Sequence, residues 1–296
     1  MQHRSQNLRA FFARYVTATS KVSDQRIRQA FATVKREDFA GPGPWSIKVL
    51  FADGYIDTPD DDIAFLYQDT LVALDAKRGI NIGQPSAHAR WLDAVALREG
   101  ETALQIGAGS GYYSAILAHL VGASGRVHAY EIDQDLALRA ERNLKALPQV
   151  AVQARSGVAD GLPKADVIYV CAGVTQPSWA WLDALRPGAR LIFPLQPHGV
   201  MGAWGGMLMI ERASQGAIWP ARFVSRASFI PCTAPQDAEA GDRLAAAFAH
   251  GGYETVRSFR LDEPIDSTCW FAGDGWWLST LGPRRPLGSD PIVLPS

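Results

Sequence analysis

The stretch "ALQIGAGSGYYSAILA", residues 103–118, decides how this chain is read. Ala103, Leu104, Gln105 and Ile106 have strand character, Gly107, Ala108, Gly109, Ser110 and Gly111 make a turn, and an apolar segment of helical composition starts at Tyr112. Glycines at alternate positions let backbone approach a ligand closely and adopt positive φ. Their spacing separates one ligand from another. Dinucleotide loops follow G-x-G-x-x-G, whereas here the third glycine arrives one residue early and Tyr112 comes next. The Gly-Lys-Ser/Thr ending of a phosphate loop is also missing.

G-x-G-x-G is the spacing of S-adenosyl-L-methionine-dependent methyltransferases, and the following strand supports that ligand. Glu131 lies 24 positions after Gly107, at the carboxyl end of that strand, beside Ile132. An acid there accepts hydrogen bonds from the ribose hydroxyls of a nucleoside and repels a 2′-phosphate. A glycine triplet alone also makes a tight turn with no ligand. The triplet together with Glu131 favours the cofactor.

Outward from this core, strand and helix alternate, which predicts a doubly wound, Rossmann-like α/β sheet that is mostly parallel. Toward the N-terminus, residues 86–97 read as a helix and residues 40–82 as an extended, irregular arm. A further helix behind Ser23 and Asp24 reaches about Lys35. Toward the C-terminus, Asp133 caps a helix to about Leu147. Strands follow near Val150 and at 167–170, then a helix at 178–185 and the turn and strand "RPGARLIFPL". "WGGMLMIERA" and "WPARFVSRASFI" have no helix between them and predict an antiparallel pair closing the sheet edge. Residues 236–296 form a small α+β extension: a helix at 236–250, a strand at 253–259, a hairpin turning at Asp274-Gly275, and a loose proline-rich tail. The expected division is 1–85, an N-terminal helix and arm; 86–235, the cofactor-binding domain; and 236–296, the extension.

Composition limits the function classes. The 296 residues are 47% hydrophobic, with a formal net charge of −1. No global positive field is available for nucleic acid, which is disfavoured as a partner. Cys171, Cys232 and Cys269 are too few and too scattered for a disulfide framework, which points to a reducing, cytoplasmic setting. Neither a secretion signal nor a membrane span is legible, the six histidines lack metal-ligand spacing, and Ser110 lacks the G-x-S-x-G frame of a nucleophilic serine. Oligomeric state leaves no mark on the sequence.

Over residues 20–235 the chain resembles the protein-L-isoaspartate O-methyltransferase family, through "VKREDF", "INIGQPSAHA", "LQIGAGSGYYSAILAHLVG", "GRVHAYEID" and "LRPGARLIFPL". The resemblance implies a doubly wound methyltransferase fold, S-adenosyl-L-methionine as donor, and a carboxylate on a damaged aspartyl residue of a protein or peptide as acceptor. Carried onto this chain, it implies cofactor contacts from Gln105, Gly107, Ala108, Gly109, Gly111, Tyr112, Glu131, Ile132, Ser156 and Gly157. It implies acceptor contacts from Gly83, Gln84 and Ser86.

This chain departs from the family at four places. The family's Thr-Ile-Ser, whose serine faces the substrate, is Asn81, Ile82 and Gly83; its Gly-Asp-Gly is Arg155, Ser156 and Gly157; its acid before Ile-Gly is Gln105; and residues beyond 236 are additional. The absent serine predicts slower reaction on an isoaspartyl acceptor. Ser86 is the first substitute for the hydroxyl, although as a helix cap it would have a structural role instead. His88 could likewise supply a polar contact to the acceptor but reads rather as a surface or packing residue, and Trp270, Trp276 and Trp277 could form an aromatic lid but read rather as the core of their own hairpin. Two alternatives stay open, a small-molecule acceptor on the same fold and a cofactor-binding module without catalysis.

Overall fold

The computed structural model describes residues 2–48, 54–197, 204–233, 237–262 and 264–283. The chain opens with helices α1 (Gln2–Thr19), α2 (Gln25–Thr33) and the single turn α3 (Glu37–Ala40). Asp24 caps α2, accepting from the Arg26 amide at 2.8 Å. The expected helix is therefore present, but α1 had no counterpart in the sequence reading. It is held by a sparse apolar face, with Phe12, Ala13 and Val16 buried while Phe11 and Tyr15 stay exposed.

The described residues between 40 and 82 are not an irregular arm. Strands β1 (Ser46–Lys48), β2 (Ile56–Asp57), β3 (Leu71–Asp75) and β4 (Ile80–Ile82) form an antiparallel sheet in the order β2-β1-β3-β4. Strands of two to five residues are too short to display alternation against their turns. The fully buried Arg36 guanidinium ties the segment to the body, donating to the carbonyls of Leu66, Gln68 and Thr70 at 2.7, 2.9 and 2.7 Å.

Next come α4 (Pro85–Val95), β5 (Thr102–Ile106), α5 (Tyr112–Val121), β6 (Arg126–Tyr130), α6 (Gln134–Leu144), β7 (Val150–Gln153), β8 (Ala165–Val170), α7 (Trp179–Ala184) and β9 (Leu185–Leu195). β7, β6, β5, β8 and β9 are parallel neighbours in that order. They bear out the doubly wound sheet. The chain order reverses across β5, so the crevice beyond its carboxyl end is where this architecture binds ligands. Nearly all of α5 is buried, as expected for a helix covered on several sides.

β10 (Gly205–Glu211) and β11 (Ile218–Ala227) add the predicted antiparallel pair. They do not close the edge. After α8 (Ala238–His250), strands β12 (Ser258–Arg260), β13 (Cys269–Gly273) and β14 (Trp276–Ser279) continue the same sheet from β11 in the order β12-β14-β13. The predicted strand at 253–259 is shorter, because Tyr253–Thr255 is a 3-10 turn. Gly275 turns the hairpin at φ +73°. Trp276 stacks on Phe259 at 5.6 Å, Trp277 lies under the Arg260 guanidinium at 4.8 Å, and Trp270 packs on Phe223 and Phe248. These tryptophans serve the extension's own packing. Gln236, the predicted helix start, and most of the proline-rich tail fall outside the described residues.

Candidate active site

β5 delivers its glycine turn to the switch point. The amides of Gly107 and Ala108 donate to the Tyr130 carbonyl at 2.9 and 3.0 Å, which fixes the turn to the end of β6. Gly109 and Gly111 sit at φ +58° and +93°, where a side chain is strained. A Cβ on Gly109 would meet Leu74 Cδ1 at 3.3 Å, and one on Gly111 would meet Leu144 Cδ1 at 2.7 Å. The turn thus presents bare backbone above and packs α6 closely below.

Glu131 leaves the end of β6 with 8% exposure. Its Oε2 accepts from the Gly109 amide at 2.7 Å and its Oε1 from the Asp133 amide at 3.0 Å. Burial pushes its pKa above the ordinary glutamate value, against the pull of those amide donors. Asp133 caps α6 and pairs with Arg78 at 2.7 Å, joining the small sheet to the rim of the crevice.

Gln105 is spoken for. Its Oε1 accepts from Ser114 at 2.6 Å and its Nε2 faces Cys171 Sγ at 3.8 Å, cross-linking β5, α5 and the end of β8. Burial raises the Cys171 thiol to about 12, so it stays protonated. Gly157 backs onto Ile106, and its carbonyl accepts from Trp181 at 2.7 Å.

Gly83 and Gln84, which lead into α4, line the same crevice. The Gly83 carbonyl accepts from the Tyr113 hydroxyl at 2.7 Å. Ser86 does not face the crevice, and Gln84 rather than Ser86 occupies the N-cap position. The Ser86 hydroxyl and amide both donate to Asp69, at 2.6 and 2.8 Å, and Gln84 Nε2 donates to the same carboxylate at 3.0 Å. Asp69, from the loop before β3, thereby supplies the cap in place of a local residue. His88, on the second turn of α4, is 2% exposed. It is stacked on Tyr113 with centroids 3.5 Å apart and shares a 2.9 Å hydrogen bond with the Tyr169 hydroxyl through Nδ1.

Both halves open into one cavity of about 640 Å³. Of the sequence-derived residues, Gly83, Gln84, Gln105, Gly107, Ala108, Gly109, Tyr112, Glu131, Ile132, Ser156 and Gly157 line it; Ser86 and Gly111 do not. The sequence reading did not place Asn81, Tyr113 or Phe229 in the site, and it ranked His88, which also lines the cavity, as a surface or packing residue.

A protein-L-isoaspartate(D-aspartate) O-methyltransferase family model matches residues 11–235. The chain belongs to that family. An Anaeromyxobacter protein named protein-L-isoaspartate O-methyltransferase 2 is 30% identical over 218 residues, 70% of this chain and 78% of that one. A solved protein-L-isoaspartate O-methyltransferase superposes with a TM-score of 0.61 at 21% identity, covering 81% of this chain and 69% of its own. A Plasmodium falciparum chain assigned to the same enzyme and crystallised with S-adenosyl-L-homocysteine gives 0.58 at 17% identity, covering 75% and 97%. As a family member this chain is an S-adenosyl-L-methionine-dependent methyltransferase.

The residues present suit that cofactor. The bare backbone of the glycine turn makes a cradle that side chains would fill. Glu131 faces the cavity as a buried carboxylate whose two oxygens each retain acceptor capacity beyond one amide. Among the described residues no helix is long and apolar enough to cross a membrane.

Proposed function

We propose that this methyltransferase esterifies the carboxylate of an isoaspartyl residue in a protein or peptide. The observation that carries the reading is a single cavity lined both by the glycine turn with Glu131 and by Gly83 and Gln84. S-adenosyl-L-methionine supplies an activated methyl group on a sulfonium. The acceptor carboxylate is already ionised at neutral pH and needs no strong base. The protein's contribution is then to bind, align and exclude water.

In this reading Glu131 takes the ribose hydroxyls, backbone at Gly107, Ala108 and Gly109 lies against the cofactor, and Ile132, Ser156 and Gly157 flank the adenine. Tyr112 closes the base of the cavity, while Gly111 and Gln105 shape the turn from behind. Gly83 and Gln84 line the acceptor side. The hydroxyl of Ser86 serves α4 rather than the acceptor, which is supported by its bonds to Asp69. Cys171, Cys232 and Cys269, which form no disulfide with one another, support a cytoplasmic setting. We keep 1–85, 86–235 and 236–296 as the division of the chain, the second boundary coinciding with the end of the family match.

The test uses three acceptors: a peptide with one isoaspartyl residue, the same peptide with aspartate, and a panel of small carboxylic acids. Methyl-labelled S-adenosylmethionine should label the isoaspartyl peptide, with one S-adenosylhomocysteine formed per ester. Label on a small acid with none on the isoaspartyl peptide overturns the reading.

A further inference from the structure

The acceptor wall holds a polar atom that no described residue satisfies. His88 is clamped on every other side: Tyr113 stacks on one face with the rings 7° from parallel, Trp91 packs at 5.0 Å and 63°, and Phe229 at 6.1 Å and 68°. Nδ1 is engaged by the Tyr169 hydroxyl at 2.9 Å. Nε2 has no partner among the described residues, and the ring lines the cavity beside Gly83. A Cβ built on Gly83 would collide with Nε2 and lie 2.8 Å from Cδ2. The imidazole therefore occupies the space that a side chain at position 83 would need, and the glycine is what admits it.

We infer that His88 binds the acceptor, donating its Nε2–H to the substrate carboxylate in the place where a residue-83 hydroxyl would otherwise reach. This deepens the isoaspartyl reading and rests on it. Tyr169 sits in the core with its phenol kept protonated by burial. Nδ1 is the acceptor that the described residues offer the Tyr169 hydroxyl, and with the phenol donating to it the single ring proton is left on Nε2, beside Gly83. Burial and the Arg36 charge hold His88 neutral, its pKa lowered to about 3. A neutral ring already protonated at Nε2 cannot act there as a general base. It can donate one directed hydrogen bond, which suits a carboxylate oxygen that must be held while the other oxygen attacks.

The ring's clamp supplies the alignment. A serine hydroxyl rotates about one bond, whereas this imidazole is fixed by a stack, two edge contacts and the Tyr169 bond. The acceptor loses charge as its ester forms, so the bond to Nε2 is stronger in the bound substrate than later in the reaction. Its removal should weaken acceptor binding more than it slows turnover.

The experiment compares the full-length protein with His88→Phe, Gly83→Ser, and the double variant Gly83→Ser with His88→Ala. Methylation of an isoaspartyl peptide is measured alongside S-adenosylhomocysteine affinity by calorimetry. His88→Phe should raise KM for the peptide at least tenfold, lower kcat by less than threefold, and leave S-adenosylhomocysteine affinity within twofold. Gly83→Ser alone should also be impaired, because its Cβ strikes Nε2. The double variant, with room for the hydroxyl, should recover at least half of the lost kcat/KM. In ¹⁵N-histidine protein saturated with S-adenosylhomocysteine, the His88 Nε2–H signal should shift on peptide addition in the wild type.

Improved activity in Gly83→Ser with His88 in place, or an unchanged KM in His88→Phe, overturns the inference. So does peptide binding without a shift at Nε2, an outcome that leaves the isoaspartyl reading intact. A wild-type protein that neither binds nor methylates the peptide overturns both together.

Discussion

Glu131 Oε2 accepts the amide of Gly109 at 2.7 Å, so the acid at the end of β6 and the glycine turn after β5 are one hydrogen-bonded unit. Glu131→Gln replaces an acceptor-only group with one that also donates. We expect S-adenosylhomocysteine affinity to fall by about 1–3 kcal/mol, the range for hydrogen bonds to charged groups and for stranded partners. Wild-type affinity should also weaken on acidification, and at a higher pH than an exposed glutamate of pKa about 4.3 would produce. Burial is what raises that point. Calorimetry from pH 7.5 downward checks both, the variant losing most of the pH dependence.

Ser156 lies in the cavity wall, and its Oγ is only a weak acceptor for the Val158 amide at 3.4 Å. An acid there would accept from the adenine amine. Ser156→Asp should tighten S-adenosylhomocysteine binding severalfold and raise its preference over the inosine analogue, which lacks the amine. Unchanged affinity for both ligands would show that position 156 does not face the base.

His88 gives a stability signature. Its pKa drops from 6.5 to about 3 on folding, so the unfolded chain binds the extra proton across that window and stability must rise with pH through it. The full contribution is present above pH 6.5. His88→Phe removes this titration and should flatten the stability profile between pH 4 and 6.5 by up to about 1.4 kcal/mol per pH unit, the limit for one proton. Urea unfolding at a series of pH values reads the slope, and parallel profiles would contradict it.

Gly111 combines φ +93° with a Cβ position 2.7 Å from Leu144 Cδ1. Gly111→Ala should destabilise the fold by about 2–4 kcal/mol, adding a left-handed backbone penalty to the overpacking of α6. The same variant need not touch the cofactor directly, since Gly111 is outside the cavity lining. A midpoint of urea unfolding within error of the wild type would refute the packing argument.

The parallel half of the sheet and its glycine turn were legible because their helices and strands are long enough to repeat a period, and because Gly107, Gly109, Gly111 and Glu131 form a spaced pattern. α1 escaped because Phe12, Ala13 and Val16 are a thin stripe among polar residues. The small sheet escaped because three of its four strands have only two or three residues. On the acceptor side the sequence drew attention to Ser86, whose hydroxyl is committed to Asp69. It raised His88 beside Ser86 but ranked it as a surface or packing residue, since a lone histidine in an amphipathic helix carries no signal of what its ring faces. Gly83 was singled out for the hydroxyl it lacks; what the sequence could not show is that this glycine has no positive φ and that the His88 ring fills the space a Cβ there would take.

The continuity of β11 with β12 carries a consequence for anyone cutting this chain at its homology boundary. Residues 11–235 are what the family shares, but Ile218, Trp219 and Pro220 pair with Arg260, Phe259 and Ser258 from beyond it. Ending the chain at 235 would strip that partner away and leave the first three residues of a ten-residue strand as a bare rim, with the indole of Trp219 losing the Phe259 ring that lies 5.9 Å away. Unsatisfied amides beside a wet aromatic surface recruit other strands. The shortened protein should associate through that rim, so the segment that looks most dispensable by ancestry acts as the molecule's guard against its own copies.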